Sequence, residues 1–264
     1  MTAGIVRTGT ILDKIIAHKR TEVESAQAKI PLVDLQKACS DLPAPLDFRG
    51  ALRKKETVAL IAEVKHASPS KGILIDPFHP AALAQQYAEH GAAAISVLTD
   101  EKYFMGHLDH LKQIRAVVEL PLLRKEFIIS PYQIYEARAA GADAVLLIVA
   151  ALEDGLLLEL HTLALELGMV ALVEVHDEAE TERALRLNPF LLGVNNRDLH
   201  DFSVHLQTTA RLAAMIPPEI TLVGESGIRT AEDVKAMGRV DAILVGETLV
   251  KAIDKIKELS TVPR

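Results

Sequence analysis

The chain has 264 residues, 49% hydrophobic and 25% charged, a globular mixture with ample material for a large core. A formal net charge of −7 argues against a nucleic-acid partner. The one cysteine, Cys39, excludes an intrachain disulfide and a four-cysteine zinc site, and it fits a reducing, cytoplasmic setting. No apolar run reaches the roughly 18 residues of a membrane span, and the longest candidate, 142–152, is interrupted by Asp143. Met1 to Thr10 lacks the apolar core of a signal peptide.

Ile11, Leu12, Ile15, Ile16 and Val23 recur near helical spacing. Lys14, Lys19, Arg20, Glu22 and Glu24 fall on the other side, which predicts an amphipathic helix ending at Pro31. Short helices are predicted over 32–39 and 48–54, and nothing strand-like precedes Val58. From there the pattern changes. Short apolar runs at 58–64, 93–98, 121–124, 144–149, 170–175, 191–195, 220–224 and 242–246 read as strands. Amphipathic segments at 81–90, 108–118, 131–140, 156–167, 178–187, 203–215 and 231–237 lie between them. Gly91, Gly141 and Gly168 follow three of these helices, where a left-handed cap residue is wanted.

Apolar strands alternating with helices mean a parallel sheet covered on both faces. Eight such units in about 200 residues close most naturally as a (β/α)8 TIM barrel. An open doubly wound sheet is the alternative, but no G-x-G-x-x-G follows the first strand. The chain therefore reads as one barrel domain over 1–264, with 1–57 as an N-terminal helical extension.

In such barrels chemistry sits where the strands end. The first strand ends in Glu63 and Lys65, followed by a polar loop with Ser68, Pro69, Ser70, Lys71 and Gly72. Side chains alternate along a strand, so Ile61, Glu63 and Lys65 share one face. The third strand ends in Arg124-Lys125-Glu126-Phe127, the fifth in Glu174, and the sixth in Asn195-Asn196-Arg197-Asp198. Period two puts Lys125 on the face of Leu123 and Glu174 on the face of Leu172, so lysines and glutamates converge on one pocket as acid–base pairs. Gly224-Glu225-Ser226-Gly227 and Gly246-Glu247-Thr248 close the last two strands. Loops after strands seven and eight are the usual phosphate site of this fold, so a phosphorylated small molecule is expected there.

Other residues read as ordinary surface. His107 and His110 mark a helix start, and His200 and His205 lack a third metal ligand. Tyr103 and Phe104 either line the pocket or pack a loop. Cys39 lies outside the barrel and offers no nucleophile.

Taken in order, several segments carry a resemblance to the indole-3-glycerol phosphate synthase family. They are I-L-D-K-I-I-A-H-K-R at Ile11, I-A-E-V-K-H-A-S-P-S-K-G at Ile61, S-V-L-T-D-E-K-Y-F at Ser96 and L-L-R-K-E-F at Leu122. V-E-V-H at Val173, G-V-N-N-R-D-L at Gly193, G-E-S-G-I at Gly224 and L-V-G-E-T-L at Leu244 continue it along nearly the whole chain. The resemblance implies a barrel whose N-terminal extension helps cover the active site. It implies decarboxylating, dehydrating ring closure of 1-(2-carboxyphenylamino)-1-deoxyribulose 5-phosphate, a step of tryptophan biosynthesis, with no metal or organic cofactor.

By the same resemblance Lys125 is the general acid, and Glu174 transfers protons during dehydration with Glu63 and Asn195 in support. Lys65 binds the substrate's carboxylate or phosphate, with a catalytic part besides. Glu225, Ser226, Gly227, Gly246 and Glu247 match substrate-binding positions, the last four of them the phosphate loop. Ser68 and Arg197 match polar contacts; Phe104, Phe127 and Leu199 match an apolar wall. The chain departs from the family pattern at His66, where lysine is common, at Glu126, where aspartate is, and at Thr248, where serine is. A monomer or weak homo-oligomer is expected. Two other readings of the strand-end residues stay open: a sugar-phosphate isomerase or aldolase using a lysine Schiff base, and a non-catalytic phosphate-ligand binding protein.

Overall fold

A computed structural model describes residues 4–264. Residues 1–3, which begin both the leaderless segment and the extension expected from the sequence, lie outside the described residues. Eight strands, Ala59–Val64, Ala94–Leu98, Leu122–Lys125, Ala144–Ile148, Val170–Val175, Leu191–Asn195, Thr221–Glu225 and Ala242–Val245, close into a barrel. All neighbours run parallel, and the last strand pairs with the first through Ala59 and Ala242. The closed (β/α)8 barrel replaces the open-sheet alternative.

The strands are buried almost throughout because helices cover the outside and stacked side chains fill the inside. Local chemistry starts the helices where the strand ends require. Ser130 and Asp177 accept from backbone N–H groups of the helices they precede, and Thr230 and Asp233 form a reciprocal capping box.

Several elements differ from the sequence expectations. The loop after the first strand is a small antiparallel hairpin, Ala67–Ser68 with Gly72–Ile73. The helix expected over 203–215 is only Gln207–Ala213. The buried side chain of Asn196 accepts from the backbone N–H and hydroxyl of Thr209 at 3.1 and 2.8 Å, and its backbone carbonyl accepts from His205. These bonds hold 196–206 as a loop on the barrel mouth. Short helices Glu101–Phe104, Glu247–Lys251 and Lys255–Ser260 were not foreseen. His107 caps the helix Leu108–Arg115, its imidazole accepting from Asp109.

The helix Ile11–Lys29 precedes the barrel and buries Leu12, Ile15 and Ile16. Lys19, expected on its solvent side, is only 3% exposed. Its ammonium lies 2.9 Å from Asp100 and 2.9 Å from Glu126, beyond the ends of the second and third strands, and also pairs with Glu22. Burial works against the charge, but Glu126 and Asp100 outweigh it and raise the pKa above the ordinary lysine range. A residue that is polar by pattern is thus the electrostatic anchor of the helix, because the barrel presents two carboxylates where solvent was expected.

Candidate active site

Glu63, Lys125, Glu174 and Glu225 come from strands one, three, five and seven. Interior layers of such barrels draw their side chains from alternate strands. These four therefore form one charged layer at the C-terminal mouth, above the apolar layer of Ile61, Leu123, Leu172 and Val223 two residues earlier. The Lys125 ammonium stands 3.2 Å from Glu174 Oε2 and also donates to Glu225 Oε2. Lys65 donates to Glu63 Oε1.

Two glycines, Gly193 on the sixth strand and Gly246 just after the eighth, make room. A Cβ on Gly193 would sit 2.2 Å from Glu225 Oε1; one on Gly246 would sit 2.2 Å from Glu63 Oε1 and 3.1 Å from the Lys65 ammonium. These are the far ends of flexible side chains, so the fold can absorb the methyl group while the charged layer cannot. Gly193→Ala and Gly246→Ala are each expected to lower kcat about 10²-fold, the usual cost of displacing a reacting group by about 1 Å. Thermal unfolding, measured beside steady-state kinetics, should move little.

In this layer the carboxyls of Glu63, Glu174 and Glu225 face the ammoniums of Lys65 and Lys125, and their surroundings pull the Glu174 and Glu225 pKa values apart. Burial drives the Glu225 pKa up, Lys125 only partly opposes it, and nearby Glu174 adds to it, leaving a value of about 7. Glu174 goes the other way: burial raises its pKa, but Lys125, His176 and a hydrogen bond from Asn195 prevail and lower it. For Lys125, burial disfavours the charge, yet Glu225, Glu174 and Glu63 hold its pKa above the ordinary lysine range. The layer thus contains a fixed ammonium, an ionised Glu174 and a protonatable Glu225.

This arrangement carries a stability signature. The native state holds a proton on Glu225 between pH 4.5 and about 7 that the unfolded chain releases. Its contribution is therefore most favourable below pH 4.5 and falls as pH rises to about 7. Glu174 acts only below its ordinary value, and His176, whose pKa is raised, acts above 6.5. Glu225→Gln should remove a decline on the order of 2 kcal/mol across that window, read by denaturant unfolding at pH 5 and pH 7.

Around the layer lies a cavity of about 560 Å³. One side is apolar, with Phe104 and Phe127 at 6.0 Å between ring centroids and Ile11, Leu12 and Ile15 from the first helix. The other side is formed by Ser226, Gly227, Gly246 and Glu247 after strands seven and eight, with Arg197 and Arg229 beside them. Ser226 and Gly227 both have left-handed backbone, at φ 68° and 82°, which turns the chain sharply over the cavity. Arg197 approaches Glu247 at 3.6 Å and donates to the Phe202 carbonyl at 3.1 Å.

Ser68, Leu199 and Asn195 line this same cavity, with every other site residue named from the sequence. Two features go beyond the sequence expectations, the role of Glu225 and the presence of Arg229. Glu225 was grouped with the substrate-binding residues, but it is a direct partner of Lys125. Arg229 also lines the cavity, one residue beyond the G-E-S-G-I segment, and Lys71 lines it within the polar loop expected at the rim. Ile11, Leu12 and Ile15 bring the apolar face of the first helix into the cavity, in line with the covering role that the resemblance implies for the extension. His66 is not on the cavity wall: its ring stacks on Phe78 at 4.6 Å and its Nδ1 faces the Met105 carbonyl.

A family model described as indole-3-glycerol phosphate synthase matches residues 12–262. The chain is 55% identical to the indole-3-glycerol phosphate synthase of Roseiflexus castenholzii, over 95% of this chain and 98% of that one. It is 53% identical to that of Polaromonas naphthalenivorans, over 92% and 94% of the two chains. Among solved structures, thiamine phosphate pyrophosphorylase from Pyrococcus furiosus superposes with a TM-score of 0.57 at 18% identity, over 82% of this chain and 96% of that one, a likeness of fold alone. The chain belongs to the indole-3-glycerol phosphate synthase family.

Proposed function

We propose that the cavity performs the reaction of its family through the charged layer at the barrel mouth. The chain is a decarboxylating lyase of tryptophan biosynthesis acting on a phosphorylated small molecule. The Lys125 ammonium, held between Glu174 and Glu225, is the observation that carries the reading. A ring carbon attacks the ribulose carbonyl only if that carbon is made more electrophilic. Lys125 protonates the carbonyl oxygen as the carbon–carbon bond forms. Loss of carbon dioxide restores the aromatic ring. Departure of the hydroxyl as water then needs a second proton, and one ring proton is removed. Glu174 handles these transfers, with Glu63 and Asn195 holding the charges around it.

The flat ring fits against Phe104, Phe127 and Leu199. The phosphate fits the opposite end, at Ser226, Gly227, Gly246 and Glu247, with Ser68 and Arg197 as further polar contacts. Lys65 anchors a substrate anion and takes part in the chemistry. No cofactor enters these steps. We take 1–264 as one barrel domain with 1–57 as its helical extension, working in the cytoplasm as a monomer or weak homo-oligomer without nucleic acid. Among the described residues no helix is long and apolar enough to cross a membrane.

The test is to incubate the purified chain with 1-(2-carboxyphenylamino)-1-deoxyribulose 5-phosphate and follow indole fluorescence, which meets little background because the chain has no tryptophan. A rise in indole signal with release of carbon dioxide is expected. A covalent adduct trapped on Lys125 or Lys65 by borohydride would favour Schiff-base chemistry instead.

A further inference from the structure

His176 follows the fifth strand two residues after Glu174, and none of the steps above uses it. Its Nδ1 lies 3.0 Å from Glu180 Oε2, and its backbone N–H donates to the same oxygen at 2.8 Å. Its Nε2 is buried without a hydrogen-bond partner and lies 3.5 Å from Glu174 Oε1. The two residues face different spaces. Glu174 lines the substrate cavity. His176 and Glu180 line a second, outer cavity of about 1120 Å³ beneath the loop 196–206. The imidazole therefore stands in the wall between the two.

The chemistry demands such a link. When the substrate's ionised carboxylate leaves as carbon dioxide, two protons are taken up on the way to water and one is released from the ring. Each turnover thus consumes one net proton, while the bound substrate fills the inner cavity. We propose that His176 is the proton relay of Glu174, passing that proton from the outer cavity to the buried carboxylate. The inference rests on the role given to Glu174 above. In the step, the Nε2–H bond of the imidazolium breaks and an O–H bond forms at Glu174 Oε1. The bonding pair stays on Nε2, and the neutral ring keeps its Nδ1–H towards Glu180. The neutral ring then turns so that the vacant Nε2 meets water of the outer cavity, takes a proton from a hydronium there as its O–H bond breaks, and swings back as the imidazolium.

The surrounding charges suit a ring that is protonated at rest. Burial opposes the positive charge, but Glu180, Glu174 and, from the seventh strand, Glu225 outweigh it and raise the pKa. Lys125 is bonded to both Glu174 and Glu225 and moderates their pull. Asp177, Arg183, Arg197, Arg211 and His205 are the other titratable and charged groups that line the outer cavity with Glu180, Asp198 and His200.

Kinetics of His176→Asn, His176→Ala and Glu180→Gln with the carboxyphenylamino substrate across pH 5.5 to 9 test the relay. His176→Asn should lower kcat about tenfold, less than the roughly 10²–10⁴-fold lost with an acid or base that touches the substrate, because His176 acts through Glu174, with KM changed less than about twofold. In the unaltered chain kcat should fall as pH rises through the histidine's pKa, and this limb should vanish in His176→Asn. Glu180→Gln leaves the ring in place but removes a carboxylate that favours its charge, so the limb should move to lower pH. Added imidazole should restore turnover to His176→Ala in a saturable way.

Unchanged kcat and pH profile in His176→Asn, or an unmoved limb in Glu180→Gln, overturns the relay. So does a loss in His176→Ala that imidazole does not relieve while its thermal unfolding remains native-like. Absence of turnover in the unaltered chain would overturn the functional reading and the relay with it. Normal turnover with indifferent variants overturns the relay alone.

Discussion

Lys125→Ala is expected to lower kcat about 10³-fold, within the range for loss of a positioned general acid, while KM stays within about fivefold. That is roughly 4 kcal/mol of transition-state stabilisation at about 1.4 kcal/mol per factor of ten. The reason lies in the geometry. The ammonium makes its contacts with Glu174 and Glu225 at the floor of the cavity, whereas the phosphate end and the aromatic wall are made by other residues of the lining, Ser226, Gly227, Gly246 and Glu247 at one end and Phe104 and Phe127 at the other. Substrate binding should therefore survive in calorimetry with the variant. The variant also leaves Glu63, Glu174 and Glu225 close together without their shared cation. They relieve the repulsion by taking up protons, so its stability should fall more steeply with rising pH than that of the unaltered chain. Full activity in Lys125→Ala would sink the mechanism.

Lys19→Met should give the largest loss of stability, about 3–5 kcal/mol, because breaking a buried ion cluster strands its remaining charges. Asp100 is fully buried and Glu126 is 3% exposed, and both depend on the Lys19 ammonium. Glu126 also pairs with Arg124 at 3.7 Å and accepts from the Thr99 hydroxyl at 2.8 Å, so part of the network persists. Denaturant unfolding measures the loss. The variant should also raise KM. Asp100 caps the short helix bearing Phe104, Glu126 lies between Lys125 and Phe127, and the first helix carries Leu12 and Ile15 into the cavity. Loosening Lys19 loosens all three walls at once. Lys19→Arg, which keeps the charge, should recover most of the stability. A loss below about 1 kcal/mol in Lys19→Met would mean that the cluster behaves like an exposed pair.

Much of the site was legible in the chain because barrel chemistry is indexed by strand ends. Runs of apolar residues ending in Glu63, Lys125, Glu174 and Asn195 announce both the strands and the catalytic rim. Alternation along each strand assigns the inward face without any tertiary information. What stayed hidden depends on relations between strands. Glu225 reads as part of a glycine turn, and only the barrel's register sets it against Lys125 and Gly193. Lys19 reads as solvent-facing, because helical periodicity reports polarity and cannot report that a distant segment supplies Asp100 and Glu126. The helix expected over 203–215 was too long because Asn196, from the preceding strand end, captures its start.

The sequence by itself determined the eight βα units, the mouth at which the reactive groups gather and the family to which the chain belongs. These follow from local periodicity and from motifs within single segments. Only the tertiary structure decided which charges touch. It paired Lys125 with Glu174 and Glu225, raised the Glu225 pKa by burial, buried Lys19 and set His176 in the wall between two cavities. Ion pairing and desolvation act through space over a few ångströms, and only the closed barrel brings residues about 50 to 100 positions apart within that range.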